Sequence, residues 1–409
     1  MYQIKFLKTP TISLTTPIKT KSKPASTTQS KNTSYNSAYN LSTTLTITND
    51  LGERWFYGHT TLLLEIRLHM NNEVMKVNSK SSYKIIKTAE CEWDAGLMAV
   101  NVSCPLKTSE LPLGKGYITV FVKVKDLTGV IDELNYEDEN ISNQVFVKET
   151  VREKLSYFNI AKDHDKLTSY ENKFTDLVFL NTISDFMKIP AKISEFPMRC
   201  DRKALRLIND PQISSEYVIL YEELSGTIAR HLWDAGIFLN LLPISTILDY
   251  TGFKASDKLD ILELGTGIGL GGIRLAQVFP KAKILVTDLD DAKVICEDNI
   301  KLNDTNKADR VRFRELDWES PVKTLYQSWD LILVTDCIYN PLYYDWLINV
   351  MKVEALAKTK VLFLHKFREP VSECEFFPKV REWFELEKQW WWRLNDGILV
   401  HVGLYSKKT

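Results

Sequence analysis

Four carboxylates stand out by position. Asp336 closes the run "WDLILVTDCIYNP" (329–341), with Tyr339 three residues on; Glu263 precedes glycines 265, 267 and 269 in "ILELGTGIGLGG" (261–272). Asp288 ends "KAKILVTD", and Asp317 with Trp318 ends "RVRFRELDW". Ionised carboxylates accept hydrogen bonds from hydroxyls and amines or pair with cations; a phenol adds a donor and an indole adds an apolar face. Such a set suits a ligand carrying hydroxyls, amino groups and positive charge.

Each of these residues follows a short apolar run of strand length, and the runs alternate with helical patterns at 269–279, 290–303 and 343–357. Strand–helix alternation means a mostly parallel sheet covered on both faces, with ligands at the carboxyl ends of the strands. From about residue 211 the chain is therefore expected to be α/β. Leu331–Val334, apolar at every position, reads as a strand buried on both faces.

The glycines let backbone approach a ligand closely. A purely structural turn is one alternative. A dinucleotide loop is another, because Gly267, Gly269 and Gly272 formally fit G-x-G-x-x-G. That register starts two residues after the strand has ended and aims Glu263 at a pyrophosphate. An acid there suits a ligand with an ammonium and no phosphate, such as S-adenosylmethionine, whose sulfur is also positive. Asp288 can accept from both ribose hydroxyls, and Asp317 beside Trp318 can take the adenine amino group under an aromatic cover. A turn aspartate and a packed indole remain the bland reading of that last pair.

Taken in order, "DILELGTGIGLGG", "VTDLDDAKVICEDNIKLN", "ELDW" and "WDLILVTDCIYNP" resemble the seven-β-strand S-adenosylmethionine-dependent methyltransferases. More narrowly they are similar to the family-16 group, rich in protein lysine methyltransferases acting on non-histone proteins such as translation factors and chaperones. "GTIARHLWDAGIFLNLL" (226–242) upstream and "LFLHKFRE" downstream extend the likeness over about 215–407. Thr266 and Ile268 stand where alanine and threonine are expected.

The resemblance implies a Rossmann-like seven-strand methyltransferase domain. In it Glu263, Gly265 and Gly267 would line the methionine end of the cofactor, Asp288 would hold the ribose, and Asp317 and Trp318 the adenine. Trp233 would pack near the cofactor, although an indole on an amphipathic helix is as often core. The family's Asp/Glu-x-x-Tyr/Phe motif maps onto Asp336 and Tyr339. Asp336 would orient an incoming amine and could take its proton, and Tyr339 would wall the channel. Methyltransferases of nucleic-acid bases share the spacing but place a proline pair in the middle, where this chain has Cys337 and Ile338. That favours lysine over a base. Another protein amine or side chain, a nucleic acid, a small molecule, or a non-catalytic module on the same fold stay as alternatives.

The rest of the chain sets bounds. Its 409 residues suggest two domains, and a net charge of -1 argues against a global basic field for nucleic acid. Six scattered cysteines without C-x-x-C suggest free thiols and no metal site. No apolar run approaches the ~20 residues that span a membrane, and a cytoplasmic location is expected, with the nucleus as the alternative. Residues 1–40, lysine- and hydroxyl-rich and free of acid, read as a flexible tail rather than a mitochondrial presequence, since Pro10 and Pro17 interrupt any helix. Residues 41–150 alternate as a β-rich sandwich or barrel, 151–210 read as a helical connector (helices at 151–163 and 172–187), and 211–409 as the catalytic domain. "QWWWRL" (389–394) reads as an edge strand packed on the last helix, with a docking patch as the alternative.

Overall fold

The computed structural model describes residues 2–15, 39–48, 56, 59–73, 82–94, 96–125, 179–200, 203–208, 217–223, 226–303, 309–320, 325, 328–393 and 399–408. Two compact units divide the chain: Tyr2–Val130 with Asn181–Leu205, and Ile131–Leu180 with Arg206–Thr409.

In the first unit, β1 (Tyr2–Leu14) pairs antiparallel with β2 (Tyr39–Thr48), from Gln3 opposite Thr48 to Leu14 opposite Tyr39. The expected flexible tail is thus a strand over Tyr2–Leu14. Ile4, Phe6 and Ile12 are buried along it, a pattern obscured by the serine, threonine and lysine that follow. Residues 16–38 lie outside the described residues. A second antiparallel sheet centres on β3 (Thr60–His69), flanked by β4 (Tyr83–Trp93) and β6 (Tyr117–Val124), while β5 (Val100–Leu106) pairs with β2. Leu62, Leu64 and Ile66 of β3 and Val120 and Val122 of β6 are buried, which fixes register because a one-residue slip would expose them all.

The connector differs from the helical expectation. Phe179–Leu180 (β7), Thr182–Ser184 (β8), Met187–Lys188 (β9), Met198–Arg199 (β10) and Lys203–Ile208 (β11) are short strands. β8 and β9 pair with β6, and β10 with β1, so tertiary pairing overrides the local helical signal. The helix expected over 151–163 and the first part of that over 172–187 lie outside the described residues.

In the second unit, β12 (Val218–Glu223) leads through helices α1 (Asp234–Leu241) and α2 (Ile244–Thr251) to the main sheet. Its strands are β13 (Asp260–Leu264), β14 (Lys283–Asp288), β15 (Val311–Glu315), β16 (Leu331–Thr335), β17 (Lys360–Lys366), β18 (Phe384–Arg393) and β19 (Leu399–Lys407). The order is β15-β14-β13-β16-β17-β19-β18, with β19 antiparallel to both neighbours and the other pairings parallel. The first strand of the sheet, β13, lies inside it next to the central β16, and the order reverses between the two. A crevice therefore opens at the carboxyl ends of those two strands.

Alternation splits the strand side chains between two cores. Ile261, Leu331, Leu333, Leu362 and Val402 pack with α1, α2, α3 (Leu270–Val278) and α4 (Asp290–Leu302). Leu262, Leu264, Ile332, Val334 and Phe363 pack with α5 (Tyr344–Glu354) and α7 (Phe376–Arg381), which follows the short α6 (Pro370–Glu373). Helix α7 stops at Arg381, because from Phe384 the period-two pattern of β18 takes over. Its tryptophans alternate: Trp391 stacks on Phe367 at 5.7 Å, whereas Trp390 meets Tyr250 at 4.1 Å and Trp392 meets Phe238 at 5.3 Å. All three indoles are packing residues. Five of the six cysteines are buried and none forms a disulfide. Among the described residues no single helix is long and apolar enough to cross a membrane.

Asn299 on α4 and Asn303, one turn on and just past the helix end, hold the edge of β12. Asn299 accepts from the Tyr221 N–H (2.7 Å) and donates to the Tyr221 carbonyl (3.1 Å) and the Ile268 carbonyl (2.9 Å). Asn303 does the same to both backbone groups of Ile219 (3.0 and 2.7 Å). A helix turn and two strand residues have nearly the same rise, so two side chains at i and i+4 match backbone groups at i and i+2. Replacing the buried Asn299 by leucine removes its three hydrogen bonds to backbone, one of them buried, and should cost roughly 2–4 kcal/mol; urea unfolding measures it, and a loss under about 0.5 kcal/mol, within the ordinary range of a surface change, would contradict this role.

Candidate active site

The loop between β13 and α3 carries positive φ at Gly265, Gly267 and Gly269. At Gly265 a side chain is excluded twice, by φ of 68° and by the Cys337 sulfur 2.5 Å from where a Cβ would lie. The Trp318 ring closes on the same point at 3.3 Å. Cys337 Sγ lies 3.3 Å from the Leu264 carbonyl and 3.2 Å from that of Thr335, so it ties the ends of β13 and β16 together. Burial pushes this thiol well above its ordinary range.

Glu263 has no exposed surface. One carboxylate oxygen, Oε2, accepts from Thr266 Oγ1 (2.6 Å) and from the Gly272 N–H (2.8 Å). The other is buried against Gly271, where any Cβ would overlap it, and it has no hydrogen-bond partner. Burial pushes Glu263 up to about 8 despite those two donors. A resident carboxyl group thus takes up an amide in the first turn of α3, where the dinucleotide register would set its pyrophosphate. Phosphate does not suit this helix end. Glu263 is enclosed beneath the loop it shapes and has no surface of its own.

Asp288 receives the Gly267 N–H on Oδ2 (2.7 Å) and the Leu289 N–H on Oδ1 (2.8 Å). Each oxygen keeps a lone pair for a further donor, as a ribose diol requires. Asp317 turns both oxygens toward its own turn, accepting from the Glu319 N–H and Ser320 Oγ at 3.0 Å each. Trp318 is half-buried over Gly265, and its indole nitrogen is buried without a hydrogen-bond partner. Gly265, Gly267, Asp288 and Trp318 therefore converge on one loop, a polar and aromatic cradle that fits an adenosine better than a phosphate chain.

At the end of β16, Asp336 adopts a left-handed φ of 54°, a region that aspartate tolerates better than most residues. Its Oδ2 accepts from the Ala235 N–H at the start of α1 (2.8 Å), and Oδ1 from the Lys366 N–H at the end of β17 (3.0 Å). Arg368 forks onto both oxygens at 3.1 and 3.0 Å. Burial alone would raise the Asp336 carboxyl, but the Arg368 guanidinium and His365 hold it well below the usual carboxylate range. A carboxylate so held is a poor proton acceptor, which corrects the expectation that Asp336 could take a proton from the amine. Tyr339, 43% exposed, keeps its phenolic proton, pushed up to about 12 by burial and nearby negative groups. It meets Tyr343 edge-on at 6.2 Å, and Tyr343 stacks on Trp346.

Trp233 precedes α1. Its indole nitrogen donates to the Ile228 carbonyl (3.0 Å), and the Arg368 guanidinium sits 5.3 Å from its ring. The next residue, Asp234, pairs with Lys366 at 2.5 Å, both fully buried. His365 lies between Asp336 (3.5 Å) and Glu373 (3.4 Å). Asp234, His365, Lys366, Arg368 and Glu373 were not singled out from the sequence. The available signal was "LFLHKFRE", where a histidine and a lysine interrupt a strand otherwise written for a buried sheet. Among the described residues no cluster could hold a metal.

Residues 212–383 match a family model described as "Lysine methyltransferase". A UPF0665 family protein of Schizosaccharomyces pombe is 28% identical over 166 residues, 40% of this chain and 50% of that one. The protein-lysine N-methyltransferase EFM2 of Saccharomyces cerevisiae is 31% identical over 105 residues, 23% of this chain and 25% of that one. The chain thus spans half or less of the length of these curated relatives. Among solved structures, a precorrin-6y C5,15-methyltransferase of Geobacter metallireducens aligns at a TM-score of 0.29 and 12% identity, over 40% of this chain and 87% of that one. The family match falls on the segment carrying all the motifs, so the resemblance read from them is borne out there.

His365 generates a pH prediction. Burial lowers its pKa, but Glu373 and Asp336 outweigh burial and the net shift is upward. The stabilisation from the imidazolium is therefore complete below the unfolded value of about 6.5 and is lost as pH rises through the higher folded value. The stability difference between wild type and His365→Gln, measured by urea unfolding across pH, should be largest in acid and shrink in alkali. A difference independent of pH would contradict the assignment.

Proposed function

We propose that this protein transfers a methyl group from S-adenosylmethionine to a lysine side chain of a non-histone protein, of the translation-factor or chaperone class. The observation that carries the proposal is the glycine loop: its helix end is occupied by Glu263, and Asp288 and Trp318 stand beside it with unused hydrogen-bonding capacity. The match of residues 212–383 to a lysine methyltransferase model supports the same reading.

When bound, S-adenosylmethionine supplies a methyl group on a positively charged sulfur. Asp288 takes the ribose hydroxyls on the lone pairs that Gly267 and Leu289 leave free. Gly265 admits the ligand where a side chain would collide with Cys337. Trp318 covers the ring system, and Asp317 accepts from its amino group. Glu263, its pKa pushed up to about 8 by burial, holds the loop from beneath.

A lysine near pKa 10.4 must lose its proton before it can attack, which costs roughly 4–5 kcal/mol at neutral pH. Desolvation beside a positive charge lowers that cost. Asp336 does not contribute as a base; it fixes the geometry of the β16 loop so that Tyr339 stands at the entrance. Tyr339 walls the acceptor path and can offer a hydrogen bond. Substrate selection falls to the β-rich first unit, and the cytoplasm is the compartment in which such a protein would meet its substrates.

Wild type and Asp288→Ala are to be incubated with methyl-labelled cofactor and cell lysate. Protease-sensitive label with wild type, reduced at least about tenfold by the substitution, is expected from the loss of a charged hydrogen-bonding partner. Equal labelling by the two proteins, or label that only nuclease removes, would overturn the proposal.

A further inference from the structure

Three elements close around Asp336: the first turn of α1 through Ala235, the end of β17 through Lys366, and the segment after it through Arg368. Arg368 presents two nitrogens to two oxygens, and the paired side chains are only 8% and 4% exposed. His365 faces the same carboxylate at 3.5 Å while its other nitrogen faces Glu373. The neighbouring cation, Lys366, is committed to Asp234. The acid that the motif places beside a cationic ligand is thus already matched by a fixed guanidinium, in the forked geometry that makes arginine–carboxylate pairs strong.

We propose that Arg368 is a specificity-determining residue: by engaging both oxygens of Asp336 it withholds that charge from the ligand, so that the site takes a positive and a neutral sulfur with similar affinity. This rests on the reading of the site as an S-adenosylmethionine site. S-adenosylmethionine carries a positive sulfur, and S-adenosylhomocysteine a neutral one. A free carboxylate about 4 Å from a unit positive charge would favour the cationic ligand roughly fivefold even at the dielectric of bulk water, and by more where water is partly excluded. Affinity of that kind holds the starting complex without raising the rate of the chemical step. It would also hold an acceptor amine in its protonated, unreactive form. Arg368 removes both effects at one residue.

Calorimetry with the full-length chain tests this, using S-adenosylmethionine and S-adenosylhomocysteine as separate titrants. Wild type should bind the two within about threefold of each other, the small residue expected of a neutralised pair. Arg368→Gln should shift the ratio toward S-adenosylmethionine by about fivefold or more, the factor set by an unmatched charge. Arg368→Lys should restore the wild-type ratio, as should adding Asp336→Asn to Arg368→Gln. A merely structural role would weaken both ligands alike, and an unmoved ratio in Arg368→Gln overturns the inference. Should that variant fail to fold, wild type still decides, because an intrinsic preference for S-adenosylmethionine above about tenfold also overturns it. Binding of neither ligand by wild type removes the reading of the site as a whole, whereas binding of both with an unmoved ratio removes this inference alone.

Discussion

The second unit depends on a single carboxylate. Asp336 lies where the strand order reverses, in a left-handed backbone conformation, and receives α1, β17 and Arg368 on its two oxygens. The segment before the first strand is docked by the same contacts, together with the buried Asp234–Lys366 pair next to them. Buried ion pairs are weak sources of net stability, because desolvation offsets most of their attraction. Removing one partner is nevertheless expensive, at about 3–5 kcal/mol. Such a network selects one arrangement of the chain over others more than it deepens the folded well.

That constraint organises the glycine loop as well. Cys337 follows Asp336 and lies against Gly265, so the end of β16 and the loop after β13 are shaped together. Beneath the loop Glu263 joins Thr266 to the first turn of α3, and beside it Asp288 holds Gly267. Acids that look equivalent in the sequence therefore divide by burial. Glu263 and Asp336 are internal and hold backbone in place. Asp288 and Asp317 are partly exposed and accept from backbone and side-chain donors of the loops around them.

Much of this was legible in the sequence. Apolar runs ending in an acid located β13, β14 and β16, and the glycine spacing located the loop. What could not be read was the pairing of residues far apart: Asp234 and Lys366 meet across 132 positions, and neither has a periodicity that announces the other. Asp336 and Arg368 form a fork that depends on one φ angle, which composition does not encode. The N-terminal strand was hidden for another reason. Its alternation of Ile4 and Phe6 is short, and the hydroxyl-rich text after it resembles a tail. The short strands β8 and β9 owe their form to pairing with β6, a contact that local propensity does not contain.

The central claim, methylation of a lysine amine in a protein, is tested most directly by tandem mass spectrometry of lysate proteins after incubation with the purified chain and cofactor bearing a deuterated methyl group. The account predicts heavy methyl on the ε-nitrogen of a lysine in one or a few proteins. Heavy methyl confined to nucleic acid, to small molecules or to other protein side chains would contradict it.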